Sequence, residues 1–280
     1  MLKSPIKWLG GKHSLKDEIS EKIIPISFNK YIELFCGGLS IFFHLINIEK
    51  INKNTEVILN DNNKVLILFY KMIKENSELL IKKIKSICNS KIDYYDHRTK
   101  FNTLLLKFNE NNNLNENDIE LSALFLYLNK TCYNGLYRLN KKGLFNSSYN
   151  KKKYIIPKNE VENIKNISVI FNTFNINFKN ENYENIKIDE KDTLVYLDPP
   201  YFKLNKTSFL YNNKFDFDQY FKNINLIKDS YIVCSNSFCE KVLENSKNFE
   251  IYKINSNKKI NSNILDRKCK ELLICNYFFV

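Results

Sequence analysis

Asp198, Pro199, Pro200 and Tyr201 follow directly on an apolar run, Thr193 to Leu197. Each proline lacks a backbone N–H and fixes φ, so the pair stops a buried strand at this point. An acid, two stiff residues and an aromatic ring therefore gather at the carboxyl end of a strand, the edge where open α/β sheets bind ligands. The Asp198 carboxylate can accept a hydrogen bond from an amino group. The Pro199 carbonyl can accept a second, and the Tyr201 ring can stack on a planar heterocycle. These four residues are the candidate catalytic set. They suit a planar amine that must lose its conjugation before it attacks an electrophile.

A second carboxylate belongs to the same chemistry. Residues 31–36 read as a first strand, followed by Gly37, Gly38 and Leu39 and then an apolar helix, the nucleotide-binding opening of an α/β sheet. Leu39 stands where a third small residue is common. A second strand, 57–59, ends in Asn60-Asp61, and Asp61 lies roughly 20 residues beyond Gly38, the spacing of an acid that bonds ribose hydroxyls. The same acid could also cap the helix that follows. Upstream, SPIKWLGGK at 4–12 holds the single tryptophan, Trp8, with Gly10, Gly11 and Lys12, where the glycines let backbone approach a ligand closely.

Periodicity predicts helices over 64–75, 77–88, 92–108 and 119–130, with an Asn-rich loop at 109–118. Thr131 to Lys153 then reads TCYNGLYRLNKKGLFNSSYNKKK. Asn134-Gly135 and Lys142-Gly143 mark turns, and the segment is expected to be a β-hairpin. Arg138 can bridge guanine O6 and N7, and Asn140 can pair adenine, while Lys151, Lys152 and Lys153 suit phosphates. A helix at 158–166, a strand near 168–171 and a polar stretch at 172–192 lead to the Asp198 strand. Residues 203–216 read as a lid. A helix near 217–228, strands at 231–234, 249–254 and 271–279, and a basic loop at 255–270 complete the expectation.

The net charge of +12 suits a polyanionic partner. Hydrophobic residues at 44% support a full core. Seven cysteines, an odd number without a CxxC pair, point away from a disulfide framework and from a zinc site, and the three histidines are isolated, so no metal is expected. No stretch approaches ~18 uninterrupted apolar residues and no secretory leader is visible. A cytoplasmic, monomeric protein without membrane contact is the expectation.

Taken together, KWLGGK at 7–12, ELFCGGLS at 33–40, LNDNN at 59–63, YNGLYRLNKKGLFN at 133–146, LDPPY at 197–201 and the KKINSN…RKCKELL tail resemble the DNA adenine methylases of the Dam type, nearly end to end. The resemblance implies an α/β fold, a Rossmann-like methyltransferase sheet using S-adenosylmethionine, with an inserted helical target-recognition domain carrying the β-hairpin. Residues 1–65 and 158–280 would form the catalytic domain and 66–157 the recognition domain. By motif match, Trp8, Lys12, Phe35, Asp61 and Asp198 line the cofactor pocket, beside the turn at Gly37 and Gly38. Lys7, Asn134, Leu136 and Arg138 fall where relatives contact a GATC site in double-stranded DNA. One departure concerns target choice: Ser147-Ser148 stand where the family usually has Val-Pro. The implied reaction is methyl transfer to the N6 of an adenine extruded from the duplex. The same pocket would also serve cytosine N4 in DNA or a base in RNA. A DNA-binding module with a relic pocket is a further alternative. A nicotinamide dehydrogenase shares the glycine turn and the ribose acid but has no use for DPPY.

Overall fold

The computed structural model describes residues 1–87, 90–110, 116–201, 215–257 and 268–277, with residues 116, 255–257 and 268–270 described by backbone alone. The elements are α1 (Lys16–Ile23), β1 (Lys30–Glu33), α2 (Ser40–Asn47), β2 (Glu56–Asn60), α3 (Lys64–Lys85), α4 (Lys91–Glu110), α5 (Glu116–Thr131), α6 (Lys158–Thr173), β3 (Asn175–Lys179), β4 (Thr193–Leu197), α7 (Phe217–Asn225), β5 (Tyr231–Ser237), α8 (Glu240–Asn245), β6 (Glu250–Asn257) and β7 (Lys268–Cys275).

The seven strands form one sheet in the order β3-β2-β1-β4-β5-β7-β6. Strands β1 to β5 pair in parallel, and β7 runs antiparallel between β5 and β6. The sheet thus follows the doubly wound 3-2-1-4-5 order, with β7 inserted before β6. Every residue of β4 is buried, as expected of a central parallel strand covered on both faces. One face carries a large apolar core that runs without a break from the sheet residues Tyr31, Leu194 and Tyr196 into Leu104, Leu124 and Phe125 of the helical insertion. The other face packs Ile32, Val195 and Leu197 against Tyr220, Phe221 and Ile224 of α7 and Val242 of α8. Among the described residues, no helix is long and apolar enough to cross a membrane.

Several expectations are corrected. The predicted helices at 64–75 and 77–88 are one element, α3, interrupted only at Asn76, whose φ of −139° is non-helical. The segment read as a helix and then a strand near 168–171 is a single helix. Its Ile164, Ile167 and Phe171 are buried at helical spacing, which outweighs the β-branched Val169 and Ile170. The strand lies further on, in the stretch read as polar: β3 buries only Ile176 and Phe178 and exposes Asn175 and Asn177, as an edge strand does. Helices α1 and α8 were not anticipated. The hairpin at 131–153 is no ladder of strands. It is a loop with a 3-10 turn at Tyr133–Gly135 and two isolated antiparallel bridges, Cys132 to Tyr149 and Leu139 to Phe145. Most of the expected lid (203–214) and most of the basic loop (258–267) lie outside the described residues.

Candidate active site

Register brings the site together. Glu33 at the end of β1 is paired with Leu59 of β2 on one side and Tyr196 of β4 on the other. The turn after β1, Asp61 after β2 and Asp198 after β4 therefore leave the sheet side by side, at the point where strand order reverses and α/β sheets bind ligands. Alternation along β4 aims Tyr196 and Asp198 to one face and Leu197 to the other.

The Asp198 carboxylate, whose side chain is 19% exposed, is held on two sides. Lys12 Nζ, nearly buried, lies 2.6 Å from Oδ1 and 2.7 Å from Oδ2. Ser235 Oγ, from β5, donates to Oδ1 at 3.0 Å. The Ser235 hydroxyl has one proton, so the 3.1 Å contact with Tyr196 is completed by the Tyr196 O–H as donor. Burial pushes the Asp198 carboxyl up from its ordinary range, while the Lys12 ammonium and the Ser235 hydrogen bond pull it back down. Lys12 Nζ also sits 4.7 Å over the Tyr201 ring. That ring is tied at its far end, since Tyr201 O–H donates to Glu271 Oε2 of β7 at 2.7 Å. Pro199 is buried and Pro200 half-buried between them.

Asp61 closes the glycine turn. Its Oδ2 accepts from Gly37 N–H at 2.9 Å and its Oδ1 from Asn63 N–H at 2.8 Å. The helix-capping role belongs instead to Asn63, whose side chain accepts from Leu66 N–H. Gly37 has φ +44°, and a Cβ there would meet the Trp8 indole at 2.7 Å, so the glycine is required by Trp8 as well as by its backbone. Leu39, in place of a third small residue, adopts the left-handed conformation at φ 57° and is fully buried. Phe35 stands in an aromatic wall with Tyr183 at 5.4 Å and Phe215 at 5.9 Å between ring centres.

Three site residues were missed by reasoning from sequence: Ser235, Glu271 and Glu33. Glu33 is buried, accepts from Tyr31 O–H at 2.9 Å, and has its carboxyl pushed well above the usual range by burial. Ser235 and Glu271 come from strands whose pairing with the Asp198 loop no local pattern reveals. Glu33 was visible as an acid in an otherwise apolar strand.

The 131–153 loop lies beside the N-terminal stretch. Trp8 stacks on Tyr137, with ring centres 6.3 Å apart and planes at 22°. Asn134 is exposed with φ 55°, and Leu136 is half-buried. Arg138 is exposed and braced by Asn146: its Nε donates to Asn146 Oδ1 at 2.8 Å and its Nη2 to the Asn146 carbonyl at 3.3 Å. Asn140 uses its side-chain oxygen to hold the turn, accepting from Lys142 N–H and Leu144 N–H. Lys7, Lys151 and Lys152 are exposed. Ser147, one of the departures from the family pattern, is buried, and its Oγ donates to the Leu136 carbonyl.

Sheet order, crevice and insertion together define a class, the Rossmann-like methyltransferase fold carrying an inserted helical region. Compared with known proteins, residues 8–269 match the pattern of the D12 class N6 adenine-specific DNA methyltransferases, and the chain belongs to that family. It is 33% identical to the Type II methyltransferase M.MjaIII of Methanocaldococcus jannaschii over 97% of this chain and 98% of that one. It is 30% identical to the Type II methyltransferase M1.LlaDCHI of Lactococcus lactis subsp. cremoris, over 97% of this chain and 94% of the relative. A DNA adenine methylase of Haemophilus influenzae is 32% identical over 70% of this chain and 63% of its own. The chain is an S-adenosylmethionine-dependent DNA methyltransferase of the adenine-N6 type.

Proposed function

We propose that this enzyme methylates the N6 of the adenine in GATC within duplex DNA, after turning that adenine out of the helix. The observation that carries the reading is the corner at the end of β4: a carboxylate oriented by Lys12 and Ser235, next to a ring oriented by Glu271.

The crevice suits S-adenosylmethionine by its donor set. The acids Asp61 and Asp198 would suit a ligand with a ribose diol and a cationic end, and Trp8, Phe35 and Tyr183 would offer flat surfaces to its heterocycle. Trp8, Lys12, Phe35, Gly37, Gly38, Asp61 and Asp198 would hold it. When bound, it supplies a methyl group activated on a sulfonium. The protein's own part is positioning and polarisation. Tyr201 stacks on the extruded base. The Asp198 carboxylate and the Pro199 carbonyl accept the two N–H bonds of the amine, which draws its lone pair out of conjugation and aims it along one line. Lys12 must release part of its hold on Asp198 for the amine to enter.

The target assignment rests on Lys7, Asn134, Leu136 and Arg138 occupying the family's reading positions, with 66–157 as the recognition domain around them. Ser147 supports the loop from within through its bond to the Leu136 carbonyl, so the missing Val-Pro leaves that limb anchored. The test is nucleoside analysis of duplex DNA incubated with the enzyme and S-adenosylmethionine. N6-methyladenine confined to GATC is the expected result, and Asp198→Ala should lower the rate at least ~10²-fold. Methylated cytosine, or methylation of RNA in preference to DNA, would overturn the proposal.

A further inference from the structure

Asn129, near the end of α5, is 1% exposed, and all of its amide is used. Its Oδ1 accepts from Lys7 N–H at 2.8 Å, and its Nδ2 donates to the Lys7 carbonyl at 2.7 Å. The second Nδ2 hydrogen goes to the Gly135 carbonyl at 3.2 Å. A side-chain amide thus pairs with both backbone groups of one residue, as a neighbouring strand would, and also grips the turn six residues ahead in its own sequence. Gly135, at φ +66°, is pressed against the same residue: a Cβ there would lie 2.6 Å from Lys7 Cβ.

From the geometry we infer that Asn129 is a specificity-determining positioning residue, which sets Lys7 against the Asn134 turn so that both address the DNA as one unit and pass its fit to Asp198. The inference rests on the function proposed above. The physical link is short. Lys7 and Lys12 belong to one stretch of six residues. Its first residue is clasped by Asn129, its second stacks on Tyr137, and its last is the ion-pair partner of Asp198. A base pair that fails to seat on Lys7 and Asn134 therefore displaces the segment that carries the counter-ion of the amine-accepting acid. Lys12 lies over both oxygens of Asp198, and the proposed reaction calls for a second arrangement, in which it withdraws in part to admit the amine. The clasp couples DNA to that choice.

The experiment compares kcat and KM for a GATC duplex and for duplexes altered at one base pair, using the full chain and the variants Asn129→Ala, Lys7→Ala and the pair together, with S-adenosylmethionine affinity measured by calorimetry. Asn129→Ala should cut the preference for GATC at least about 10-fold, chiefly by lowering kcat on the correct site, a loss of ~1.4 kcal/mol of discrimination. Cofactor affinity should stay within about twofold, and the double variant should lose little beyond either single one. Should Asn129→Ala fold poorly, Gly135→Ala presses on Lys7 from the other side and should erode the same base preference. A uniform fall on correct and altered duplexes, or additive losses in the double variant, would mean that Asn129 only supports the fold and would overturn the inference. A wild-type enzyme that methylates no duplex would instead bring down the proposed function and this inference with it.

Discussion

Lys12 has the most consequential side chain of the site after Asp198. Burial of a carboxylate favours its protonated form, and a neighbouring cation opposes that shift. Lys12 supplies that cation at 2.6 Å, and Ser235 adds a neutral donor. Only the ionised form of Asp198 can accept from an amine on either oxygen, so activity should fall as pH drops through the carboxyl's folded-state value. That value is raised by burial and lowered by Lys12. Lys12→Met removes the lowering influence, so the acid limb of the pH–rate profile should move to higher pH, as measured by single-turnover methylation across a pH series. An acid limb that stays in place would show that Lys12 does not govern the ionisation of Asp198. The Asp198 corner was legible in the sequence because strand, acid and prolines are contiguous. Its supports were not, because Ser235 and Glu271 reach it through strand pairing with β4 and β5 that no local pattern encodes.

At the scale of elements, the loop from Thr131 to Asn150 works without a β-ladder. Two isolated bridges and the cross-limb backbone bonds Tyr133 N–H to Ser148 O, Asn150 N–H to Thr131 O and Asn146 N–H to Arg138 O hold its limbs, with the Asn140 turn and the Ser147 hydroxyl adding side-chain support. The turn residues Asn134-Gly135 and Lys142-Gly143 were readable, but the sequence overstated the strands between them. Leu139 and Phe145 do pair, but only as a single bridge. Arg138 is braced by Asn146 on one edge of its guanidinium, an arrangement that fixes the plane it offers to a base. Arg138→Ala should therefore relax specificity by ~1–3 kcal/mol at one base pair while changing non-specific affinity little. Competition binding with single-site variants of the duplex would show this. A uniform loss across all sequences would instead mark Arg138 as a phosphate contact. Lys151, Lys152 and Lys153 are exposed at the end of the same loop. Replacing all three by Ala should flatten the slope of log K against log salt by up to about 0.9 for each phosphate left without its lysine, with base preference unchanged. An unaltered slope would place the lysines away from the duplex. The misreading of 168–171 has a similar root: Val169 and Ile170 have strand-like side chains but continue a helix whose buried stripe is Ile164, Ile167 and Phe171.

Across the whole molecule, sheet and insertion share one apolar core, so the helical insertion cannot shift far without disturbing the packing behind β1 and β4. Glu33 is set within that frame as a buried acid whose carboxyl is pushed well above the usual range by burial, by Asp198 and by Asp61, against the pull of Tyr31 and Lys12. A raised acid stays protonated in the folded chain after its unfolded counterpart has ionised. Glu33 therefore costs nothing below the ordinary glutamate range and progressively more as pH rises above it. Glu33→Gln keeps an acceptor for Tyr31 and removes that penalty. Its melting temperature should equal the wild type's near pH 4 and exceed it by a margin that widens toward pH 8, as read by thermal denaturation. A constant gap across the series would contradict a titrating Glu33.

The strand order bears on how the enzyme comes into being. β7 is the last of the described strands in sequence yet lies between β5 and β6, and it delivers the glutamate that steadies Tyr201. A nascent polypeptide still threaded through the ribosome at that stage has a gap in its sheet and an unanchored Tyr201 ring. Arrival of β7 should therefore join β5 to β6 and fix the Tyr201 ring in a single step.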